Sequence, residues 1–386
     1  MPAIITRSRR TESGAALLVM MLILVVAAAS VMLSRLEKGA AERHNVMDSS
    51  GALAQARQAL LGFAVMSASR PGELPCPDVD NDGVADYTGS GCASRLGRFP
   101  WRTLNSGELR DGAGERLWYA VDAAFVSGAT SVLNSNTPGQ IMVDGNAGMA
   151  AVILAPHAVV DGQIRSGGAV NNPAAYLEGD NATAGDDSFV STAPMPFNDQ
   201  LLALEQQDLM RVVQQRVMTE MRNRLQDYYA TNGYYPYAAS LGDGPDYYCD
   251  QGVRGGHLPL AIGAGFVPGS GNACTGAAPW AVPLPGWFTA NEWVSLVYYT
   301  VAAPCVPGTV ACGGSGALLT ASGLPVPDDD KQVLLLAGGP PLSGQSRPPL
   351  AAGDLLEAAE NVDGDDVYEV PVLSATDNDQ LRVVAP

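Results

Sequence analysis

An uncharged apolar stretch near its start is the clearest pattern in the chain. Residues 15–33 read AALLVMMLILVVAAASVML, and none of them is charged. A helix of that length is sufficient to cross a lipid bilayer. Arg7, Arg9 and Arg10 precede the stretch, and the positive-inside tendency keeps such residues on the cytoplasmic side. The pattern predicts a single transmembrane helix at 15–33, with the C-terminus on the outer side of the membrane.

The segment that follows the apolar stretch also has a helical pattern. It contains no proline before Pro71. Its apolar residues Leu53, Ala56, Leu60 and Ala64 are spaced by three or four positions, which places them on one face of a helix. We therefore expect one helix over 15–67, apolar in its first part and amphipathic in its second.

Three interpretations of the N-terminus are open. A signal peptide would be cut after Ala29, within a run of small residues. An uncut anchor would keep Met1. A short basic leader ending in Gly14 would be cut before Ala15, so that the apolar helix stays in the mature protein. The continuation of the helical pattern for another thirty residues favours the third interpretation, because a signal peptide needs no such continuation.

The rest of the chain contains an internal duplication. Residues 152–165 and 334–347 are apolar runs that both end in Gly-Gln-x-Arg. Further on, GDD at 185–187 recurs at 364–366, and NDQL at 198–201 recurs at 378–381. The offset stays between 179 and 182 positions. We call residues 68–204 the first copy and residues 205–386 the second copy.

The second copy begins with its own predicted helix. LMRVVQQRVMTEMRNRLQDYYATNG, residues 209–233, has an apolar stripe at helical spacing, and Asn232-Gly233 is a typical helix end. The sequence continues as Tyr234-Tyr235-Pro236. Residues 63–75 of the first copy are a looser version of this helix exit.

These features resemble the prepilin family of type IV pili and type II secretion pseudopili. The resemblance rests on the basic leader ending in glycine, the apolar helix after it, and the tyrosine-rich helix exit. It implies an α+β fold: a long N-terminal transmembrane and amphipathic helix, followed by two tandem pilin-like heads of helix packed on antiparallel sheet. The implied domains are a leader at 1–14, a helix at 15–67, and heads at 68–204 and 205–386.

The resemblance also implies partners and a location. A prepilin peptidase would cut after Gly14, and Ala15 would become the methylated N-terminus. The helix would join other pilins or pseudopilins, and the outer head would be free to bind an unknown ligand. The expected location is the inner membrane, as a single-pass protein with a periplasmic C-terminus, or the tip of a fibre. Val19 stands where most family members have glutamate, which implies a minor or tip subunit.

Cysteine content and charge limit the possible classes. Six cysteines and no CxxC pair indicate disulfides formed in an oxidising compartment. We expect sequential pairs: Cys76 with Cys92, Cys249 with Cys274, and Cys305 with Cys312. The net charge of −18 disfavours nucleic acid as a partner, because its phosphates would be repelled.

One acidic loop has the pattern of a calcium site. Residues 78–86 read DVDNDGVAD, and alternate carboxylates around a glycine turn supply the oxygen ligands that calcium prefers. The predicted ligands are Asp78, Asp80, Asp82, Asp86 and the carbonyl of Val84. An acidic turn without metal is the simpler interpretation. Weaker metal candidates lie in the second copy at Asp363, Asp365 and Asp366.

No motif of a known enzyme class is found in the sequence. The three histidines, His44, His157 and His257, lie far apart and lack metal-ligand spacing, and there is no nucleophile elbow or phosphate-binding loop. We therefore expect a structural subunit and no catalytic residues. The alternative is a secreted or membrane-anchored adhesin that is not assembled into a fibre.

Overall fold

The structure is a computed structural model that describes residues 13–89, 91–160, 162–242, 247–262, 274 and 277–386. Between residues 13 and 43 it describes the side chains of 20–22, 24–26, 30 and 32 only. Helix α1 (Ser13–Met66) is 54 residues long. Near its C-terminal end Leu53, Ala56, Leu60 and Ala64 are buried. The predicted amphipathic face is therefore the one that contacts the body.

The predicted membrane span is not found. Among the described residues, no helix is both long enough and apolar enough to cross a bilayer. The transmembrane segment at 15–33 was therefore a wrong prediction. The fold class that included it and the single-pass location in the inner membrane are wrong for the same reason. The body itself is α+β and consists mostly of β-sheet.

The first copy folds around a mostly antiparallel sheet. Its described strands are β1 (Tyr87–Thr88), β2 (Gly91–Cys92), β3 (Leu96–Arg98), β4 (Trp118–Val121), β5 (Ile141–Val143), β6 (Asn146–Ala155), β7 (Ser188–Phe189) and β8 (Gln200–Glu205). β1 and β2 form a small pair, and the main sheet has the order β3-β4-β6-β5-β7 with β8 beside β6. β5 and β7 are parallel.

Both faces of this sheet are covered. Tyr119 and Val121 on β4 point into the core shared with α1, whereas Trp118 and Ala120 belong to a second cluster with Tyr176. That second cluster lies under the short 3₁₀ turns Pro173–Ala175 and Gly179–Ala182. Burial on both faces explains why β4 and the second half of β6 are continuous apolar runs instead of alternating ones.

The second copy starts with α2 (Gln206–Asn232), which ends at Gly233 in a left-handed conformation with φ 74°. The elements after it are β9 (Gly255–His257), α3 (Gly286–Ala290), β10 (Val297–Val301), β11 (Thr320–Ser322), β12 (Val333–Ala337), α4 (Ala359–Val362), β13 (Val367–Glu369) and β14 (Gln380–Ala385). Its main sheet has the order β14-β12-β10-β9, and β11 pairs with β13 in parallel.

The two sheets repeat one register. Across the first sheet, neighbouring strands align Arg98, Trp118, Leu154 and Leu201. Across the second, they align His257, Tyr298, Leu336 and Leu381. Even single hydrogen bonds recur: the Tyr119 hydroxyl donates to the carbonyl of Pro75 at 3.1 Å, and the Tyr299 hydroxyl donates to that of Pro236 at 2.8 Å. Equivalent positions in the two copies can therefore be compared directly.

The two copies also share one hydrophobic core, which runs from α1 through α2 to the second sheet. Arg57 on α1 forms an ion pair with Asp208 on α2 at 2.7 Å. The amide of Gln214 donates to Ser135 of the first copy and to the carbonyl of Gly338 in the second. The copies are thus packed side by side.

Candidate functional site

The predicted calcium loop brings some of its acidic residues together. One carboxylate oxygen each of Asp78, Asp80 and Asp86 lies within 4.8 Å of the others, so this group can hold a metal ion. The disulfide between Cys76 and Cys92 closes the loop at its base. The structure does not distinguish calcium from other cations.

Asp78 lies at the centre of the loop. It is 1% exposed, and its two carboxylate oxygens accept the backbone N–H groups of Asn81 at 2.6 Å and Gly83 at 2.7 Å. Burial raises the pKa of Asp78, the two N–H donors oppose that rise, and the nearby Asp82 and Asp80 charges add to it. A cation beside Asp78 would stabilise its ionised form.

Asp86 has a structural equivalent in the second copy. Its carboxylate accepts the N–H of Val79 at 2.7 Å, and in the second copy Asp250 accepts the N–H of Ser240 at 2.9 Å. The residue at the position of Asp78 there is Ala239, which makes the same backbone bridge to its sheet. Because the second copy closes this loop without the other acids, Asp86 has a role in the fold that needs no metal.

The other two predicted ligands lie outside this group. The carboxylate of Asp82 accepts the N–H of Val84, and both residues are exposed. Gly83 between them has a φ of 90°, and a side chain there would collide with Trp101. The glycine is therefore required by the packing of the turn.

The weaker candidate metal ligands of the second copy form ion pairs or hydrogen bonds within the protein. Asp366 pairs with Arg254 at 2.6 Å, and the equivalent Asp187 pairs with Arg95. Asp363 and Asp365 accept backbone N–H groups within their own turn. The repeated GDD sequence therefore ties a turn to the residue before β3 in the first copy and to the residue before β9 in the second.

A second acidic group was missed by the sequence analysis. Glu357, Asp377 and Asp379 each place one carboxylate oxygen within 4.8 Å of the others. Only the repeated NDQ sequence around Asp379 could have indicated it, because Glu357 is 22 residues away from Asp379 in the chain. This group can also hold a metal ion.

Part of the second group recurs in the first copy as a pair of acids. Asp379 accepts the N–H of Glu357 at 2.9 Å, and Asp199 accepts that of Glu178 at 2.9 Å. Burial, followed by the neighbouring glutamate's charge, raises the pKa of Asp379 to about 9. At Asp199, burial and the charge of Glu178 raise the pKa to about 7. The position of Asp377 is occupied by Phe197 in the first copy, so a third acid is present only in the second.

All six cysteines are paired in the predicted order. Cys76 bonds to Cys92, Cys249 to Cys274, and Cys305 to Cys312. The prediction of disulfides is confirmed. Such bonds are typical of proteins that fold in an oxidising compartment.

The predicted cleavage site at Gly14 and Ala15 lies in the first turn of α1, and the side chains there lie outside the described part of the structure. Comparison of the chain with protein-family models, curated proteins and solved structures finds no match.

Proposed function

We propose that the protein is a minor or tip-type structural subunit of a type IV pilus or a type II secretion pseudopilus. It joins the fibre through α1 and carries two duplicated, disulfide-stabilised heads. In this proposal it has no catalytic activity. The observation that carries the proposal is a contrast within α1: the described apolar side chains of its N-terminal half, which we call the free half, are exposed, and those near its C-terminal end are packed on the heads.

The described apolar side chains of the free half of α1 are exposed. Met20, Leu24, Val25 and Met32 are 65–72% exposed. Apolar side chains exposed in a row are typical of an interaction surface. Further along the same helix Leu53 and Leu60 are at most 2% exposed. The occupant that we propose for the free half is the corresponding helix of neighbouring fibre subunits.

The absence of a glutamate at position 19 supports a minor or tip role. In the family, that residue pairs with the terminal amine of a neighbouring subunit, and Val19 has no group to do so. A subunit at the end of a fibre lacks one neighbour and loses little by this change. The outer surface of the heads then remains available for a ligand.

Site-specific cross-linking in cells that assemble such a fibre tests the proposal. A cysteine at Met32 should form a covalent adduct with another fibre subunit, because this side chain is 68% exposed on the free half of α1. A cysteine at Met66, which is 80% exposed beside the heads, is the matched control and should give much less adduct. Equal yields at the two positions, or none at Met32, would contradict assembly through this half of α1.

We further propose that the loop at Asp78, Asp80 and Asp86 binds calcium. Three carboxylates and a closed loop favour a hard cation with oxygen ligands. Calcium should raise the melting temperature of the unmodified chain, and Asp80→Asn should abolish that increase. Asp82→Asn is the control, because Asp82 lies outside the group of three. Loss of the calcium effect in both variants, or in neither, would count against this ligand set.

A further inference from the structure

A cavity of about 570 Å³ lies beside the second sheet. Arg347 and Ser295 form part of its wall, and Asn136 of the first copy lines another side. This volume is within the range of sites for small ligands. Arg347 supplies a positive charge to the wall.

The guanidinium group of Arg347 has donors that the chain does not use. Its Nε and Nη1 are buried and have no hydrogen-bond partner among the described residues, and no ion pair of Arg347 is found in that part of the chain. Its Nη2 donates to the carbonyl of Gly339 and to the side-chain oxygen of Gln345, each at 3.4 Å. A buried donor without an acceptor costs free energy. The two unused nitrogens therefore favour an acceptor that comes from a ligand.

The first copy shows which acceptor this arginine takes. Arg165 and Arg347 both end the repeated Gly-Gln-x-Arg sequence. Nη1 of Arg165 donates to the carbonyl of His157 at 2.5 Å, which is the position of Gly339 in the second sheet. The same nitrogen lies 3.3 Å from a carboxylate oxygen of Glu115. The arginine of the first copy is therefore paired with a carboxylate of the chain itself.

The second copy has no carboxylate at the position of Glu115. The shared sheet register aligns Trp118 with Tyr298, and three residues before each stand Glu115 and Ser295. A serine side chain is too short to replace the glutamate, and Ser295 and Arg347 both line the cavity. The cavity thus lies where the first copy has an arginine–carboxylate pair.

The acids around the cavity leave the charge of Arg347 available. The charges of Glu357, Asp379 and Asp354 counter the lowering of its pKa by burial, but none of the three forms an ion pair with it. Burial and the charge of Glu357 raise the pKa of Asp379 to about 9, so that this acid is uncharged at neutral pH. The carboxylate of Asp354 already accepts two backbone N–H groups. Glu292 also lines the cavity, but it is exposed, and solvent screens its charge.

The same acid pair is present beside the arginine of the first copy. Glu178 and Asp199 there make the backbone contact that Glu357 and Asp379 make in the second, and Arg165 is nevertheless paired with a further carboxylate. A pair of acids on one side of the arginine is therefore compatible with a carboxylate on the other.

The remainder of the wall suits an apolar body. Its residues with large apolar surface are Tyr247, Val294, Pro349 and Leu350. Ligand sites of this size are typically apolar with a small number of polar groups that fix the orientation of the ligand.

We propose that this cavity binds a carboxylate attached to an apolar body, either a small carboxylic acid or the C-terminal residue of a peptide. The carboxylate takes the place that Glu115 occupies in the first copy and pairs with the guanidinium of Arg347. The apolar body lies against Tyr247 and Leu350. The proposal does not depend on assembly into a fibre.

Calorimetric titration of the full-length chain tests the proposal with three probes. 3-Phenylpropanoate represents the small acid, N-acetyl-phenylalanine represents a peptide C-terminus, and N-acetyl-phenylalanine amide is the uncharged isostere. We expect saturable binding of at least one carboxylate probe, and the tighter of the two identifies the source. Binding of the amide that equals or exceeds both, or no saturable binding at all, would overturn the proposal.

A pair of arginine variants locates the binding. Arg347→Gln should weaken binding of the carboxylate roughly tenfold or more, because a charge-assisted hydrogen bond is lost. Arg102→Gln is the matched control and should bind as the unmodified chain does, because Arg102 is exposed in the first copy and is not part of the cavity wall. Undiminished binding to the Arg347→Gln variant would exclude this site.

A second pair of variants leaves Arg347 intact. Ser295→Glu supplies the carboxylate that the first copy has, so it should abolish binding and should melt at a higher temperature than Ser295→Gln, which has nearly the same size and no charge. Melting temperatures that are equal for the two variants, or retained binding to Ser295→Glu, would contradict the proposed place of the carboxylate.

Discussion

The acid pair of the first copy makes a measurable prediction about stability and pH. Asp199 is 6% exposed, and one of its oxygens accepts the N–H of Glu178 at 2.9 Å and the amide of Asn181 at 3.0 Å. Its other oxygen is buried and has no hydrogen-bond partner among the described residues. The glutamate carboxylate beside it already accepts the N–H of Asn198 and the amide of Gln163. A proton on Asp199 relieves the repulsion between the two acids.

The sign of the pH effect follows from the direction of the pKa change. Burial and the charge of Glu178 raise the pKa of Asp199 from its ordinary 3.8 to about 7. The folded state therefore holds this proton more tightly than the unfolded state. The resulting stability is fully present below about pH 4 and is lost as the pH rises towards 7. At about 1.4 kcal/mol per pH unit, the loss has a ceiling of roughly 4 kcal/mol.

Asp199→Asn should remove this pH dependence. The amide oxygen can accept the same two donors, and the amide nitrogen can donate to Glu178 at every pH, as the protonated acid does only at low pH. Above pH 7 the variant should exceed the unmodified chain in free energy of unfolding, by at most roughly 4 kcal/mol. Below pH 4 the two should be similar.

Urea unfolding followed by tryptophan fluorescence at several pH values is the assay, since Trp118 lies in the cluster beside the pair. Asp180→Asn, at an exposed position in the same 3₁₀ turn region, is the control and should leave the pH profile unchanged. A variant that loses as much stability as the unmodified chain between about pH 5 and about pH 8 would refute this account of the pair.

Two further predictions concern the repeated sheet and its loops. Gly97→Ala and Gly256→Ala should each destabilise the chain by roughly 2–4 kcal/mol in thermal unfolding. An added Cβ would lie 2.7 Å from the carbonyl oxygen of Asp78 in the first variant and would collide with the carbonyl oxygen of Ala239 in the second. Gly286→Ala is the control and should be nearly neutral, because no atom lies within 4 Å of the added Cβ, and equal effects at all three positions would contradict the close approach. Replacing both Cys76 and Cys92 by serine should lower the free energy of unfolding by roughly 3 kcal/mol. It should also speed proteolysis within the acidic loop at 78–86. An unchanged rate of cleavage in that loop would show that the disulfide does not restrain the loop.

The sequence predicted those features that depend on local pattern. The stripe of Leu53, Ala56 and Leu60 identified the buried face of α1, and Asn232-Gly233 identified the end of α2. Sequential pairing of cysteines could be inferred because each pair lies within one loop. The duplication identified both sheets before any strand was assigned.

Other features depend on contacts between distant residues and could not be predicted. Glu357 and Asp379 are brought together by the return of β14 to β12, which no local pattern encodes. The second role of Asp86, which closes the loop by accepting the N–H of Val79, became clear only beside Asp250. The uncharged run at 15–33 predicted a membrane span, and no such helix is found among the described residues.

The exchange of Arg98 for His257 was also invisible in the sequence. The two residues lie in segments with no obvious similarity, and only the strand register makes them equivalent.

The mature N-terminus tests the central claim most directly. Mass spectrometry of the chain expressed together with a prepilin peptidase should find a start at Ala15, carrying an N-methyl group, and Gly14→Val should prevent the cut. That result would place the protein among the pilin-like subunits. A start at Ser30, or an uncut Met1 in the presence of an active peptidase, would contradict the proposed assembly and favour a binding protein that acts outside any fibre.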